Sequence, residues 1–446
     1  MCVVGLCAVS LINACVSSQC ITVSRTGYAS IVHDYDVQEW VKTKEVSPAM
    51  SIKPLSYIPS AELKRQVYSY SGLIHYHTTY SDGGGSYDET IAVAESLGVD
   101  FVVPCDHNTV EPIRDGWSRR IGNVLVIPGV EHSMSKGRGH FLSIGKNAPP
   151  VRSADFPADS VYAVCARRND VLIVAHPFHP AHHDWEMWDD DRFTGIELYN
   201  MDENWRSNIS WSRFDRLFSA LFINLFRSHA LNHLLVYPEK NLNAFDGIAQ
   251  ERHIAGIGVT DAHSRIKSSG DHILRYPRYE DMFSLVQTFV LSTEPIDGDY
   301  DHDRDIIIDA LRRGRSYIGF TGLQDTRGFL CSVSDGFFNA LPGDSLLIKD
   351  YAELTIHLPK SHNTVVRIIR NGNIFAEYRN RMETTHLIEQ PGVYRVEVYQ
   401  CRPVLPFLSY RLYPWILSNP VYVHDSMGKT NDYDRSFLAY NKDSLE

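Results

Sequence analysis

The sequence predicts an α/β protein, with a large domain of alternating strands and helices followed by a small β-sandwich of Ig-like size. Two observations lead there. Over residues 72–320, short β-rich runs alternate with helical stretches, the pattern of a parallel sheet with crossover helices. Beyond about Asp335 helical spacing disappears and short alternating runs take over, separated by turn signals at Asn371-Gly372 and Pro391-Gly392.

The large domain is expected to place strands at 72–76, 99–104, 124–128, 140–144, 171–175, 195–199 and 254–259. Ser86-Tyr87-Asp88-Glu89 reads as a capping box opening a helix that stops at Gly98, which completes one β-α-β unit. A later helix over 305–313 ends at Gly314 and leads into a strand at 316–320. The sandwich strands are expected at 354–358, 365–369 and 393–399. The division that follows is 1–15 as a signal- or lipoprotein-like segment and 16–70 as a tether, then 71–330 as the main domain, 335–425 as the sandwich and 426–446 as a polar tail.

Composition excludes several classes. At 446 residues and 43% hydrophobic content, the chain buries a full core. A net charge of -11, from 54 acidic and 43 basic residues, argues against a nucleic-acid scaffold as partner. There is no CxxC pair, GxSxG elbow or P-loop, so thiolate zinc, dithiol redox and serine-hydrolase chemistry lack support. Cys2, Cys7, Cys15 and Cys20 crowd the N-terminus, and the apolar stretch at 3–14 ends at Ile12-Asn13-Ala14-Cys15. That resembles a lipobox and predicts a cell-envelope lipoprotein anchored to the membrane through lipidated Cys15; the alternative is a cytoplasmic chain. The apolar stretch at 217–226 is shorter than the roughly 20 residues a bilayer requires, and its spacing reads as a packed helix.

Function is carried by five clusters of potential metal ligands, each beside an apolar run. They supply His75, His77, Asp82, His107, Glu131, His140, His176, Asp261 and His263. Imidazoles and carboxylates without thiolate suit Zn, Mn or Fe. In a strand, residues i and i+2 share a face, so His75 and His77 present two imidazoles to one ion. His107, Glu131, His176 and the Asp261/His263 pair each fall just past the end of a different run, which in a barrel puts them around one mouth. Asp106 reads as a residue that orients an imidazole, and Cys105 as a buried strand-end residue. His179 stands as a candidate proton donor or a structural histidine, and Arg138 and Arg265, with Lys136, as candidate grips for an anionic substrate or as solvated loop charges. His132, His182 and His183 read as surface or loop residues.

The strings His75-Tyr76-His77-Thr78-Thr79-Tyr80-Ser81-Asp82-Gly83, Asp106-His107-Asn108, Gly129-Val130-Glu131-His132-Ser133, Ala175-His176-Pro177 and Thr260-Asp261-Ala262-His263 together resemble the PHP (polymerase and histidinol phosphatase) superfamily over residues 72–320. The resemblance implies a distorted (β/α)7 barrel, the nine residues above as ligands, and two or three divalent ions. Tyr237-Pro238-Glu239-Lys240-Asn241, Gly314-Arg315-Ser316-Tyr317 and the run from Trp415 to Tyr422 look like a CehA/McbA-type branch with a C-terminal β domain. That branch includes carbamate and amide hydrolases, whereas the wider superfamily is mainly phosphoesterases.

The expected activity is metal-dependent hydrolysis of a small phosphorylated molecule by a metal-bridged hydroxide, with Asp261 taking the proton from the attacking water. A carbamate or amide hydrolase and a non-catalytic envelope binding protein are the alternatives. The β domain is expected to be structural or a homodimer contact.

Overall fold

A computed structural model describes residues 67–153, 156–180, 184–208, 235–267, 273–360, 362–405 and 409–425. Cys15, His182, His183, the stretch at 217–226 and the tail lie outside these residues. The described chain is a mixed α/β structure with a 12-stranded and a 6-stranded sheet and two smaller ones.

Each of the seven expected runs contains a strand. Tyr68–Ile74 pairs parallel with Phe101–Val103, which pairs parallel with Val124–Val126. Both of the latter runs cross a proline, Pro104 and Pro128, which has no N–H to offer the ladder. There they pass into the second sheet as Cys105–His107 and Gly129–Ser133, again paired parallel. Pairing then continues through His140–Ile144, Val171–Ala175, Gly195–Asn200 and Ala255–Val259. A parallel bridge between Tyr76 and Ala262 returns it to the first run.

The sheet is not wholly parallel. His140–Ile144 runs antiparallel to both neighbours. A parallel return needs a crossover of roughly a dozen residues; the link at 134–139 holds only the 3-10 turn Ser135–Gly137 and glycines at positive φ.

The strands are buried on both faces, and their alternation divides two apolar clusters. Phe101, Val103, Leu125, Leu142, Ile173 and Ile257 fall in one, which Ile307 and Leu311 of the helix Tyr300–Arg313 also join. Val102, Val124, Phe141, Val174, Ile196 and Leu198 fall in the other. The capping box forms as expected, with Ser86 capping Tyr87–Ser96 and Glu89 returning the bond. The later helix begins sooner than expected because Asp299 caps it, and it ends at left-handed Gly314.

The C-terminal strands are sewn to the main sheet. Ser316–Gly319 pairs antiparallel with Ser409–Ser418, so Gly392–Leu405, Thr364–Arg370 and Asn373–Arg379 extend the 12-stranded sheet. Leu330–Ser334, Asn339–Ala340, Ala352–His357 and Glu383–Ile388 form a separate 4-stranded sheet. A buried ion network reinforces the seam: Arg395 reaches Asp246 through two bonds of 2.7 and 2.9 Å and Glu397 at 2.6 Å.

Candidate metal centre

Three of the nine predicted ligands leave their strands in the left-handed region, with φ of 55° at His75, 28° at His176 and 51° at Asp261. Such a backbone costs about 1–3 kcal/mol per residue that carries a Cβ, and it persists only where the surroundings impose it. Here neighbours do so. His75 N donates to Val103 O at 3.0 Å, Asp261 N to His75 O at 2.9 Å, and His176 N to Glu197 Oε2 at 2.7 Å. His75 therefore stands after the strand end, so the two imidazoles of His75 and His77 do not meet by simple strand alternation. The turn brings them together instead, with each Nε2 3.2 Å from Glu131 Oε2. Glu131, expected beyond a strand end, lies within Gly129–Ser133.

Glu131 is the hub. Its Oε2 also lies 3.0 Å from His107 Nδ1, while Oε1 faces His140 Nδ1 at 2.7 Å and His176 Nε2 at 2.9 Å. Asp261 Oδ1 lies 3.1 Å from His77 Nε2 and 3.5 Å from His75 Nε2. Asp82, half exposed, points Oδ1 at His263 Nε2 from 3.5 Å and at His77 Nδ1 from 3.7 Å. All nine predicted ligands thus meet. They form four overlapping groups whose donor atoms lie within 4.8 Å of one another: His77, Asp82, His107 and His263; His75, Glu131 and His176; His75, His77 and Asp261; and His107, Glu131 and His140.

The electrostatics follow from this crowding. Burial alone would raise the Glu131 and Asp261 carboxyls, but the surrounding imidazoles hold both well below the usual carboxylate range. Burial works against protonation of His176 and His263, yet Glu131 on one side and Asp82 with Asp261 on the other push each up to about 9.

The residues fit a cation. His75 Nε2 and His107 Nδ1 lie 3.2 and 3.0 Å from Glu131 Oε2, and all three atoms are buried and make no hydrogen bond. Unsatisfied buried polar atoms are costly, and nitrogen donors left without a hydrogen bond on either side of one buried carboxylate oxygen match a set shaped for metal ions. The donor set is nitrogen and oxygen. Cys105 is fully buried and free, as expected, and burial pushes its thiol far above the ordinary range.

The supporting residues depart in part from expectation. Asp106 accepts from Thr78 N and Thr78 Oγ1 at 2.8 Å each and from Ser81 Oγ at 2.6 Å, so it fixes the turn that carries His77 and Asp82 and does not bond an imidazole itself. His179 is buried, with Nε2 3.0 Å from Asp202 Oδ2 and its ring 5.4 Å from that of His176. Arg138 pairs with Asp159, and Arg265 reaches the Asp82 carbonyl at 3.4 Å. His132 is not a surface residue: it is 1% exposed, stacks on Phe141 and meets Ser143 Oγ at 2.9 Å, because its strand is buried on both faces.

Sequence reasoning missed Glu197, Asn200 and Tyr279. Glu197 Oε1 lies 2.5 Å from His75 Nδ1, and Asn200 Nδ2 lies 3.2 Å from Asp261 Oδ2. Tyr279 OH donates to His77 O at 2.8 Å and lies 3.1 Å from His263 O, clamping two ligand-bearing loops. A signal existed for Glu197: an acid between Ile196 and Leu198 inside a strand buried at every position.

No family model and no curated protein sequence matches the chain. Among solved structures it is similar to a two-domain protein from Bacteroides vulgatus ATCC 8482 that contains a predicted PHP-like metal-dependent phosphoesterase. Identity is 13% over 78% of this chain and 95% of that one, at a TM-score of 0.37. It is also similar to a proposed metal-dependent phosphoesterase from Bifidobacterium adolescentis ATCC 15703, at 13% identity over 48% of this chain and 95% of that one, with a TM-score of 0.29. An amidohydrolase from Chromobacterium violaceum, solved with sulfate and no metal, gives 12% identity over 47% and 92% of the two chains, with a TM-score of 0.28. These similarities are too slight to carry a function, which has to come from the chain's own donors.

Proposed function

We propose that this chain is a metal-dependent hydrolase of the PHP superfamily, acting on a small phosphomonoester or phosphodiester. In this reading the seven paired runs are a distorted (β/α)7 barrel, the strands beyond it an Ig-like sandwich, and the nine donors hold two or three Zn, Mn or Fe ions. The observation that carries it is the Glu131 carboxylate, fully buried and facing five imidazoles, with Oε2 lacking any hydrogen bond.

Bound divalent ions supply Lewis acidity and activate water. The chain's residues do the rest. Asp261 keeps Oδ1 towards the imidazoles while Asn200 fixes Oδ2, an arrangement suited to receiving a proton at a set position. His179 is buried and bonded to Asp202, which favours positioning over proton donation. Arg265, at the exposed Asp82 side, is the better placed of the two arginines to meet an anionic group, since Arg138 is engaged by Asp159.

That engagement favours one second reading, hydrolysis of an uncharged carbamate or amide, which needs fewer cations at the mouth. The deciding experiment loads purified protein with Mn, Zn or Fe and assays aryl phosphates, nucleotide and sugar phosphates beside aryl carbamates. Metal-dependent phosphate release supports the first reading; carbamate cleavage with silence on every phosphoester replaces it with the second. For location we propose an envelope lipoprotein acylated at Cys15, tested by fatty-acid labelling of the chain and of Cys15→Ser. No described helix is long and apolar enough to cross a membrane.

A further inference from the structure

We infer that Glu197 is a positioning residue that sets the buried half of the metal centre by holding His75 and His176 directly and Asp261 through Asn200. The inference rests on the metal-dependent reading above. Glu197 sits in the strand Gly195–Asn200, buried at every position, and is itself 0% exposed. Ile196 and Leu198 point into an apolar cluster, so the intervening carboxylate projects to the opposite face, where the ligands converge.

A buried carboxylate is costly unless bonds replace its water. No Lys or Arg pairs with Glu197 among the described residues; the ligands' own groups do. Oε1 lies 2.5 Å from His75 Nδ1, and Oε2 accepts from His176 N at 2.7 Å and from Asn200 Nδ2 at 2.8 Å. Asn200 passes the constraint on. Its Nδ2 also lies 3.2 Å from Asp261 Oδ2, while its Oδ1 accepts from Glu203 N at 3.0 Å.

Two independent observations meet here. The three ligands tied to this Glu197–Asn200 unit are His75, His176 and Asp261, the same three ligands that carry left-handed backbones. Strained residues need partners that impose their geometry; this unit holds the backbone of His176 and the side chains of His75 and Asp261, beside the backbone bonds of the last two. Further, a carboxylate only accepts, so in the neutral ring the His75 proton resides on Nδ1. The Nε2 lone pair is thereby aimed at the cluster, where the atom makes no hydrogen bond.

Glutamine cannot copy this role. With an acceptor at one end and NH2 at the other, it would aim donors either at His75 Nδ1–H or at the N–H groups of His176 and Asn200. The outer ligands Asp82, His107 and His263 make no bond to Glu197 or Asn200, so they should be spared.

The test uses the full chain, stripped by chelator and titrated with Mn or Zn alone against a competing chelator, while circular dichroism reports the folded fraction. For Glu197→Gln the expected result is a loss of about 10–100-fold in affinity at the tightest ion, with an ion at the exposed side retained and part of the loss rescued by Glu197→Asp. A folded Glu197→Gln with wild-type affinity overturns the inference, as does an equal loss at every ion. If that variant does not fold, Asn200→Ala takes its place, with reduced affinity at the tightest ion expected and unchanged affinity overturning the proposal. A wild-type chain that binds no ion removes the metal-dependent reading itself, a distinguishable result.

Discussion

Glu131 Oε2 and His107 Nδ1 lie 3.0 Å apart, both shielded from solvent, and neither makes a hydrogen bond. Two polar atoms are left this way when the geometry is set for a third body between their lone pairs.

Glu131→Gln removes the charge that five imidazoles share. Metal affinity should fall by more than about 100-fold, exceeding the usual loss for a residue that only supports a ligand. Elemental analysis after gel filtration checks this; full metal content in the folded variant would refute the hub role.

Metal removal should also destabilise the protein. With free ion at about 100 times Kd, one site adds about 2.7 kcal/mol. Dialysis against chelator should therefore lower the melting temperature, and Zn or Mn should restore it. Melting that ignores both treatments counts against a resident ion.

Tyr279→Phe should loosen the two ligand-bearing loops. It strips the donor from the buried His77 carbonyl, at a cost of about 1–3 kcal/mol. Urea unfolding measures the stability change, and the metal titration should weaken in parallel.

The seam between the main sheet and the C-terminal strands depends on Asp246 and Arg395. Asp246→Ala leaves a buried guanidinium partly uncompensated, so unfolding should become easier by about 3–5 kcal/mol. A change below about 1 kcal/mol would show that Glu397 alone suffices.

His132 gives a pH prediction. Burial depresses its imidazole from 6.5 to about 3. Between these values the unfolded chain binds the proton and the folded chain does not, so stability is fully present above about 6.5 and lost as pH falls towards about 3. Histidine resonances in NMR should show His132 neutral at pH 5, and His132→Phe should flatten this part of the acid limb.

Much of the candidate site was legible because the predicted ligands come in clusters beside apolar runs, and strands that gather in one layer bring their neighbouring residues together. The Ser86 cap and the Gly314 stop were legible for local reasons, a side-chain bond within one turn and a left-handed φ of 72°. Antiparallel His140–Ile144 was misread because the run looks like its parallel neighbours; only the shortness of its link separates them.

The residue sequence by itself determined the donor types, their order and the periodicity that buries the strands, since all three depend on nearest neighbours. The tertiary structure decided which oxygen faces which nitrogen, that Glu197 clamps His75 and His176, and that Ser316–Gly319 joins Ser409–Ser418. These contacts link residues distant in the chain, and no local pattern encodes them; they exist because closing the sheet sets strands far apart in sequence side by side, with their polar groups facing one another.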